Sequence, residues 1–477
     1  MHSVCALGAP GPFVSERDGG ALVSRERAVV VGGSVAGLLA ALAASEHFDE
    51  VLVVERDELG FSAQARKGVP QGRHVHGLLS IGMEMACEFI PDLREQLLRE
   101  GCSIFDQIRD MPTMTSQGWR LRAESTVKTI GFRRPLFDSV LYRNISALPN
   151  GQIEVGAVAG LLASEDGSVV TGVRTRAGKE IPADLVIDAT GRGSQAAKWI
   201  EQLGYEGPAE MQVRCFMGYA TRLVKVPEGL LDGETAGIIS MPFPGHHRGG
   251  ILIAADSGYH ILTAAGMARD YPPSDDDAFL KYLDQAPAPV IGSYARACEP
   301  VSDIATYHQP GNRRRLWERL ARRPRGFIVT GDAVASYNPV YGQGMTQAAK
   351  GAVVLRDCLR ENDDPMTLPE RFQAGLAAFT DEAFNVSAMA DTFYEGAELE
   401  NVERPKASDY TYLTTLEQLA TEDPEVLVTL ATAQYSMRLE DLESDELRAK
   451  AAAWTESGRS VTNTDGSTLP PVTVAAA

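Results

Sequence analysis

Several things are scarce in this sequence of 477 residues, and each scarcity closes off a class of protein. Cysteine is sparse: Cys5, Cys87, Cys102, Cys215, Cys298 and Cys358 are scattered, with no CxxC pair and no histidine cluster at metal-ligand spacing. That argues against a disulfide scaffold or a zinc module, so reduced thiols and a cytoplasmic location are expected. Basic residues are outnumbered, 45 against 64 acidic, for a net charge of −19. Such a surface repels phosphate backbones and anionic bilayers, which excludes nucleic acid as a main partner. Long uncharged runs are missing too. Residues 28–45 carry no charge, yet they are too short and glycine-broken to span a bilayer. They also lie too far from Met1 for a typical signal peptide, so no stable membrane insertion is expected.

What is present is an ordinary globular composition, 44% hydrophobic and 23% charged, long enough for more than one domain. The pattern predicts a buried strand over 27–32, a helix over 35–47 and a second strand over 50–55. Short β-rich runs follow over 153–188, with a turn at Asp166-Gly167, and 183–191 reads as a strand ending in a glycine turn. A long strand over 213–226 and shorter ones over 237–241, 250–255 and 259–263 suggest an antiparallel sheet. A helix over 275–285, a strand over 326–331, a helix over 344–360 and further helices beyond 368 complete the reading. The run of arginines at 313–315, 319, 322, 323 and 325 reads as a solvated, salt-bridged helix face.

The first chemical motif is VVVGGSVAGLLAA. Gly32 allows a tight turn out of the strand, Gly37 lets the helix approach the sheet, and the helix N-terminus offers free N–H groups to a pyrophosphate. Ser34 stands where the middle glycine of GxGxxG would be, beside Gly33. Glu55 ends the next strand and suits the ribose hydroxyls, favouring FAD or NAD over NADP. The expected fold class is therefore α/β: a Rossmann-like nucleotide-binding domain with an inserted antiparallel β-sheet substrate domain and C-terminal helices. The boundaries read as a tail over 1–25, the nucleotide domain over 26–205 and 321–365, and the sheet domain over 206–320. A helical region over 366–456 and a tail over 457–477 follow.

A second motif, IVTGDAVASYNPVYGQGMTQAAKGAVVL, places Asp332 after a buried strand and a glycine-rich loop before a helix near Gly344. This resembles flavoproteins of the p-hydroxybenzoate-hydroxylase type, where such an aspartate binds the ribityl chain and the helix dipole faces the anionic edge of reduced flavin. The runs RKGVPQGRHVHGLL (66–79), FRRPLFDSVL, LVIDATGRGS, GYATRL and GDAVASYNPVYGQGM resemble flavin-dependent epoxidases of polyether-antibiotic biosynthesis. The resemblance implies that Gly32, Gly33, Ser34, Ala36 and Gly37 meet the pyrophosphate of FAD. Glu55 and Arg56 would meet the ribose, Arg66 and Arg134 its phosphates or ribose, and Val158 the adenine. Gly331, Asp332, Pro339, Gly342, Gln343, Gly344 and Met345 would line the ribityl chain and ring.

The same resemblance implies a monooxygenase that transfers one oxygen from a C4a-hydroperoxyflavin to a lipophilic secondary metabolite. The reductant would be NAD(P)H, directly or through a separate flavin reductase, with O2 as co-substrate. Related aromatic hydroxylases carry an Asp-Gly pair where this chain has Asp188-Ala-Thr-Gly191, and halogenases carry a Trp-x-Trp absent here. Alkene epoxidation needs little acid-base help, whereas phenol hydroxylation needs a base, and no persuasive base is legible. His74, His76, Tyr337 and Tyr341 are the candidates for the substrate pocket. Epoxidation of a polyketide or isoprenoid is therefore favoured over aromatic hydroxylation and over isoprenoid reduction or dehydrogenation.

Overall fold

The computed structural model describes residues 25–233, 235–361, 367–462 and 464–472. The expected tail over 1–25 lies, apart from Arg25, outside them. The chain opens with β1 (Arg27–Val31), α1 (Val35–Ser45) and β2 (Glu50–Glu55), then α2 (Arg134–Ser146), β3 (Gly151–Val155) and β4 (Leu185–Asp188). Next come β5 (Glu210–Lys225), β6 (Gly237–Ser240), β7 (Arg248–Ala254), β8 (His260–Gly266) and β9 (Ala305–Arg315). The chain then returns through β10 (Phe327–Val329), α3 (Gly344–Glu361) and α4 (Leu368–Phe384). It ends on α5 (Thr411–Leu419), α6 (Pro424–Ser436) and α7 (Asp445–Ser457).

Two sheets organise the molecule. The first is parallel, in the order β10-β4-β1-β2-β3. Its central strands are continuous apolar runs because elements cover both faces. α1 and α3 supply Leu38, Leu39, Ala349 and Leu355, and an antiparallel meander (Val158–Ala163, Val170–Thr175, Glu180–Pro182) adds Val173 and Ile181. The second sheet is antiparallel through β9-β5-β8-β7-β6. A small hairpin, Thr113–Thr115 with Gly118–Trp119, extends its edge beside β6. These strands of three and two residues are too short to show a period, and they carry part of the chain's first half into the second sheet.

α5, α6 and α7 gather their own core around Leu416, Leu427, Leu430 and Trp454. The segment expected to trail away from 457 holds defined contacts over 464–472. Trp119 Nε1 donates to the Asp465 carbonyl at 2.8 Å, and Arg122, 1% exposed, donates to the Pro470 carbonyl at 3.4 Å. The arginine cluster is corrected. Arg313 to Arg315 end a strand rather than lining a solvated helix, and Arg314 and Arg315 are buried. Their charges are met by Glu318 and Asp381 for Arg314 and by Glu210 for Arg315. Strand pairing with β5 overrode the apparent polarity because Glu318 is joined by Asp381 and Glu210, which come from distant segments. Among the described residues, no helix is long and apolar enough to cross a membrane, and no His, Cys, Asp and Glu group could hold a metal.

Candidate active site

A cavity of about 520 Å³ runs from the carboxyl ends of β1 and β2 to the face of the antiparallel sheet. One end is walled by Glu55, Arg56, Gly156, Val158 and Arg176, the middle by Gly32, Ser34, Ala36 and Arg134. The far end is walled by Asp332, Pro339, Gly342, Gln343, Gly344 and Met345, with His74, His76 and Tyr337 opposite. Sixteen of the residues singled out in the sequence thus share one cavity: these, less Gly156 and Arg176.

The middle begins at a turn only glycine can make. Gly32 has φ +104°, and a Cβ there would sit 2.7 Å from the Ala189 carbonyl oxygen. Ser34 precedes α1 without capping it, which leaves the N–H groups of the first turn free toward the cavity. Its hydroxyl instead accepts from Arg134 Nη2 at 2.7 Å. Arg134 donates to Asp138 at 2.8 Å, and Asp138 also accepts from Arg66 at 3.1 Å, so one buried carboxylate orients two guanidinium groups around the turn. Asp138 was not foreseen, although its i,i+4 spacing from Arg134 was the available signal.

Five anticipated residues stand behind the wall rather than in it. A Cβ on Gly37 would sit 1.7 Å from the Gly32 oxygen, so its role is helix-to-sheet approach. Gly331 presses on Ala36 in the same way. Gly33 donates its N–H to Glu55 Oε2 at 2.6 Å, and its carbonyl accepts from Arg66 at 3.1 Å. Tyr341 is turned away, its hydroxyl 3.2 Å from Asp391.

At the far end Asp332 opens a short helical turn, Gly331–Ala333, directly after β10. Burial raises its carboxyl pKa, while the guanidinium groups of Arg134, Arg192 and Arg313 pull it down. Gly342, at φ +68°, turns the chain into α3, whose first residues Gly344 and Met345 face the cavity. His74 Nδ1 shares a hydrogen bond with Thr221 Oγ1 at 2.9 Å, and Thr221 bonds Thr263 at 2.8 Å. Burial lowers the His74 pKa to about 4. His76 Nδ1 donates to the His74 carbonyl at 3.0 Å, and burial, with Arg134 nearby, lowers it to about 3. Both imidazoles are neutral at neutral pH. Tyr219, Tyr307, Gln309 and Arg192 complete this end and were missed: Tyr219 and Arg192 lie within the GYATRL and LVIDATGRGS runs but were not singled out, and Tyr307 and Gln309 are single residues on a long strand with no local signal. Arg192 donates to the Gly311 carbonyl at 2.7 Å and to Ser336 at 2.8 Å.

FAD fits this set of residues. Arg66 Nη1, beside the free helix N-terminus, is buried without a hydrogen-bond partner, as are Tyr337 Oη and Gln343 Oε1 at the other end. Buried polar atoms are rarely left so. A cation for the pyrophosphate and a donor and acceptor for a polar ring account for all three.

Comparison with known proteins agrees. Residues 28–223 match the family described as FAD dependent oxidoreductase. The chain is 31% identical over 401 residues to Protein Rv3254 of Mycobacterium tuberculosis, covering 80% of this chain and 83% of that protein. It is 27% identical over 380 residues to kynurenine 3-monooxygenase of Salinispora tropica, covering 76% and 79%. The structure of Klebsiella pneumoniae HpxO complexed with FAD and uric acid has the same fold. Its TM-score is 0.60 at 18% identity, over 86% of this chain and 97% of that one.

Proposed function

The chain belongs to the FAD-dependent oxidoreductase family and is an FAD-dependent monooxygenase, and from that premise we propose that it epoxidises an alkene in a lipophilic polyketide or isoprenoid. Bound FAD, reduced by NAD(P)H directly or through a separate flavin reductase, would supply the activation of O2, one atom of which goes to the alkene and the other to water. The protein's part is to hold, exclude and orient. Arg134 and the N-terminus of α1 would hold the pyrophosphate with Arg66 close behind them, Asp332 the ribityl hydroxyls, and the first turn of α3 the polar edge of the ring. Tyr219, Tyr307 and Tyr337 line the reacting end and would help to exclude water from it.

The observation that carries epoxidation is the weakness of the available bases. His74 and His76, with pKa values of about 4 and 3, bind a proton too weakly to take one from a phenol. Burial raises the hydroxyls of Tyr307 and Tyr337, so they stay protonated as donors. The run over 66–79, which resembles the polyether epoxidases, points the same way. Aromatic hydroxylation is the second reading, favoured by the Salinispora relative.

The test is direct. The reduced holoenzyme is given isotopically heavy O2 with a panel of polyenes and phenols, and the products are analysed by mass. Epoxides carrying one heavy oxygen are expected. Labelled phenols alone would establish the second reading, and no incorporation from O2 across the panel would sink both.

A further inference from the structure

Behind the loop that brings Pro339 and Gly342 into the cavity lies a buried polar cluster with no part in the chemistry above. α4 runs on past Phe384 through a five-residue π-helical turn, Asn385–Met389. Such turns re-aim the side chains that follow. Ser387 and Asp391, four residues apart, reach the same cluster, and both are fully buried. Asp391 Oδ2 accepts from Asn312 Nδ2 at 2.7 Å, from Asn338 Nδ2 at 2.8 Å and from Cys215 Sγ at 3.2 Å. Its Oδ1 accepts from the Tyr341 hydroxyl at 3.2 Å. Asn312 Oδ1 in turn accepts from the Asn338 N–H at 2.7 Å and from Ser387 Oγ at 2.5 Å.

One carboxylate therefore grips the loop at both ends, by the side chain of Asn338 and the hydroxyl of Tyr341. Pro339 and Val340 lie between those grips, and Gly342 and the first turn of α3 follow at once. We infer that Asp391 is a positioning residue for the flavin, acting through Asn338 and Tyr341 to set loop 338–342 against the ring. The inference rests on reading the adjoining cavity as the FAD site.

The chemistry of the cluster favours this role over simple packing. Four donors converge on Asp391, and only an ionised carboxylate is acceptor-only with about four lone-pair sites. An amide of the same shape would bring an N–H into a ring of donors. The groups around it are Cys215 and Tyr219 of β5, Asn312 of β9, Asn338 and Tyr341 of the loop, Ser387 one turn before it and Tyr394 beyond it. No arginine, lysine or histidine pairs with Asp391 among the described residues. Burial accordingly raises the Asp391 pKa to about 6. A buried charge held by neutral donors alone is a poor stabiliser. Its value lies in the geometry it imposes.

The test compares wild-type holoenzyme with Asp391→Asn by visible flavin spectrum and FAD dissociation constant, from mildly acidic to mildly alkaline pH. Wild type is expected to bind FAD about tenfold more weakly below its midpoint near pH 6 than above it, the loss of roughly one charge-assisted hydrogen bond. Asp391→Asn is expected to show the weaker binding at every pH, a shifted flavin band and no titration. A variant constant within about twofold of wild type, with the pH step intact, overturns the inference. If Asp391→Asn does not fold, Tyr341→Phe takes its place. It removes one grip and leaves the carboxylate, and an unchanged band and affinity there would also overturn the inference. A wild type that binds no FAD sinks the site reading itself. A wild type that binds FAD beside an indistinguishable variant sinks this inference alone.

Discussion

Ser34 does something a glycine at its place would not: its hydroxyl ties Arg134 to the pyrophosphate turn while leaving the N-terminus of α1 uncapped. Asp332 is the more demanding residue of the pair, because the proposed site gives its carboxylate the ribityl chain to hold. Asp332→Ala is expected to yield colourless protein, and normal flavin content after purification would refute the assignment. Asp391 makes a separate prediction about stability. Its folded pKa of about 6 lies above the 3.8 of the free group. Between those values the folded chain keeps a proton that the unfolded chain has lost. Stability from that proton is present at low pH and disappears as pH rises through about 6, at a cost on the order of 3 kcal/mol. Wild-type apoprotein should therefore lose thermal stability relative to Asp391→Asn across that interval, and parallel curves would show that Asp391 does not titrate there.

Among the elements, β1, α1 and β2 form the part most exposed to a single methyl group. Gly37→Ala places a methyl against the Gly32 oxygen, so the turn must open. A loss of about 2 kcal/mol or more is expected, read as a lower thermal midpoint and lost flavin. Gly33→Ala meets first the end of the flexible Leu59 side chain and should cost less. Equal effects of the two would place the strain elsewhere. This unit was legible in the sequence, because a buried parallel strand, a glycine turn and an apolar helix each leave a local pattern. Loop 338–342 was legible for the same reason, through Asn338-Pro339 and Gly342-x-Gly344. The grip on that loop was not. Asp391 reaches it from just past a π-helical turn about fifty residues on, and Tyr341, read as a pocket residue, turns toward it instead. The buried arginines of β9 were misread because only Glu318 is near in sequence, while Glu210 and Asp381, which complete their pairing, are distant.

Across the whole molecule, the cavity draws its walls from both sheets, so FAD bound there would tie them together. At a hundredfold excess over its dissociation constant, a ligand adds about 2.7 kcal/mol to folding. For a chain of this length that is roughly 3 °C in thermal midpoint, and titrating FAD into apoprotein should produce such a rise. A midpoint indifferent to FAD would mean that FAD does not bind the folded state. The strand order has a further consequence, for how the protein is made. β4 is finished at Asp188, but its neighbour β10 arrives only with Phe327, after β5 to β9 of the antiparallel sheet have been threaded in. On the ribosome the parallel sheet must therefore wait with one edge unpaired, and Asp332 and α3 emerge later still. Cofactor capture is a late event in the life of the nascent chain, and a chain arrested before Phe327 would expose a bare sheet edge and hold no flavin.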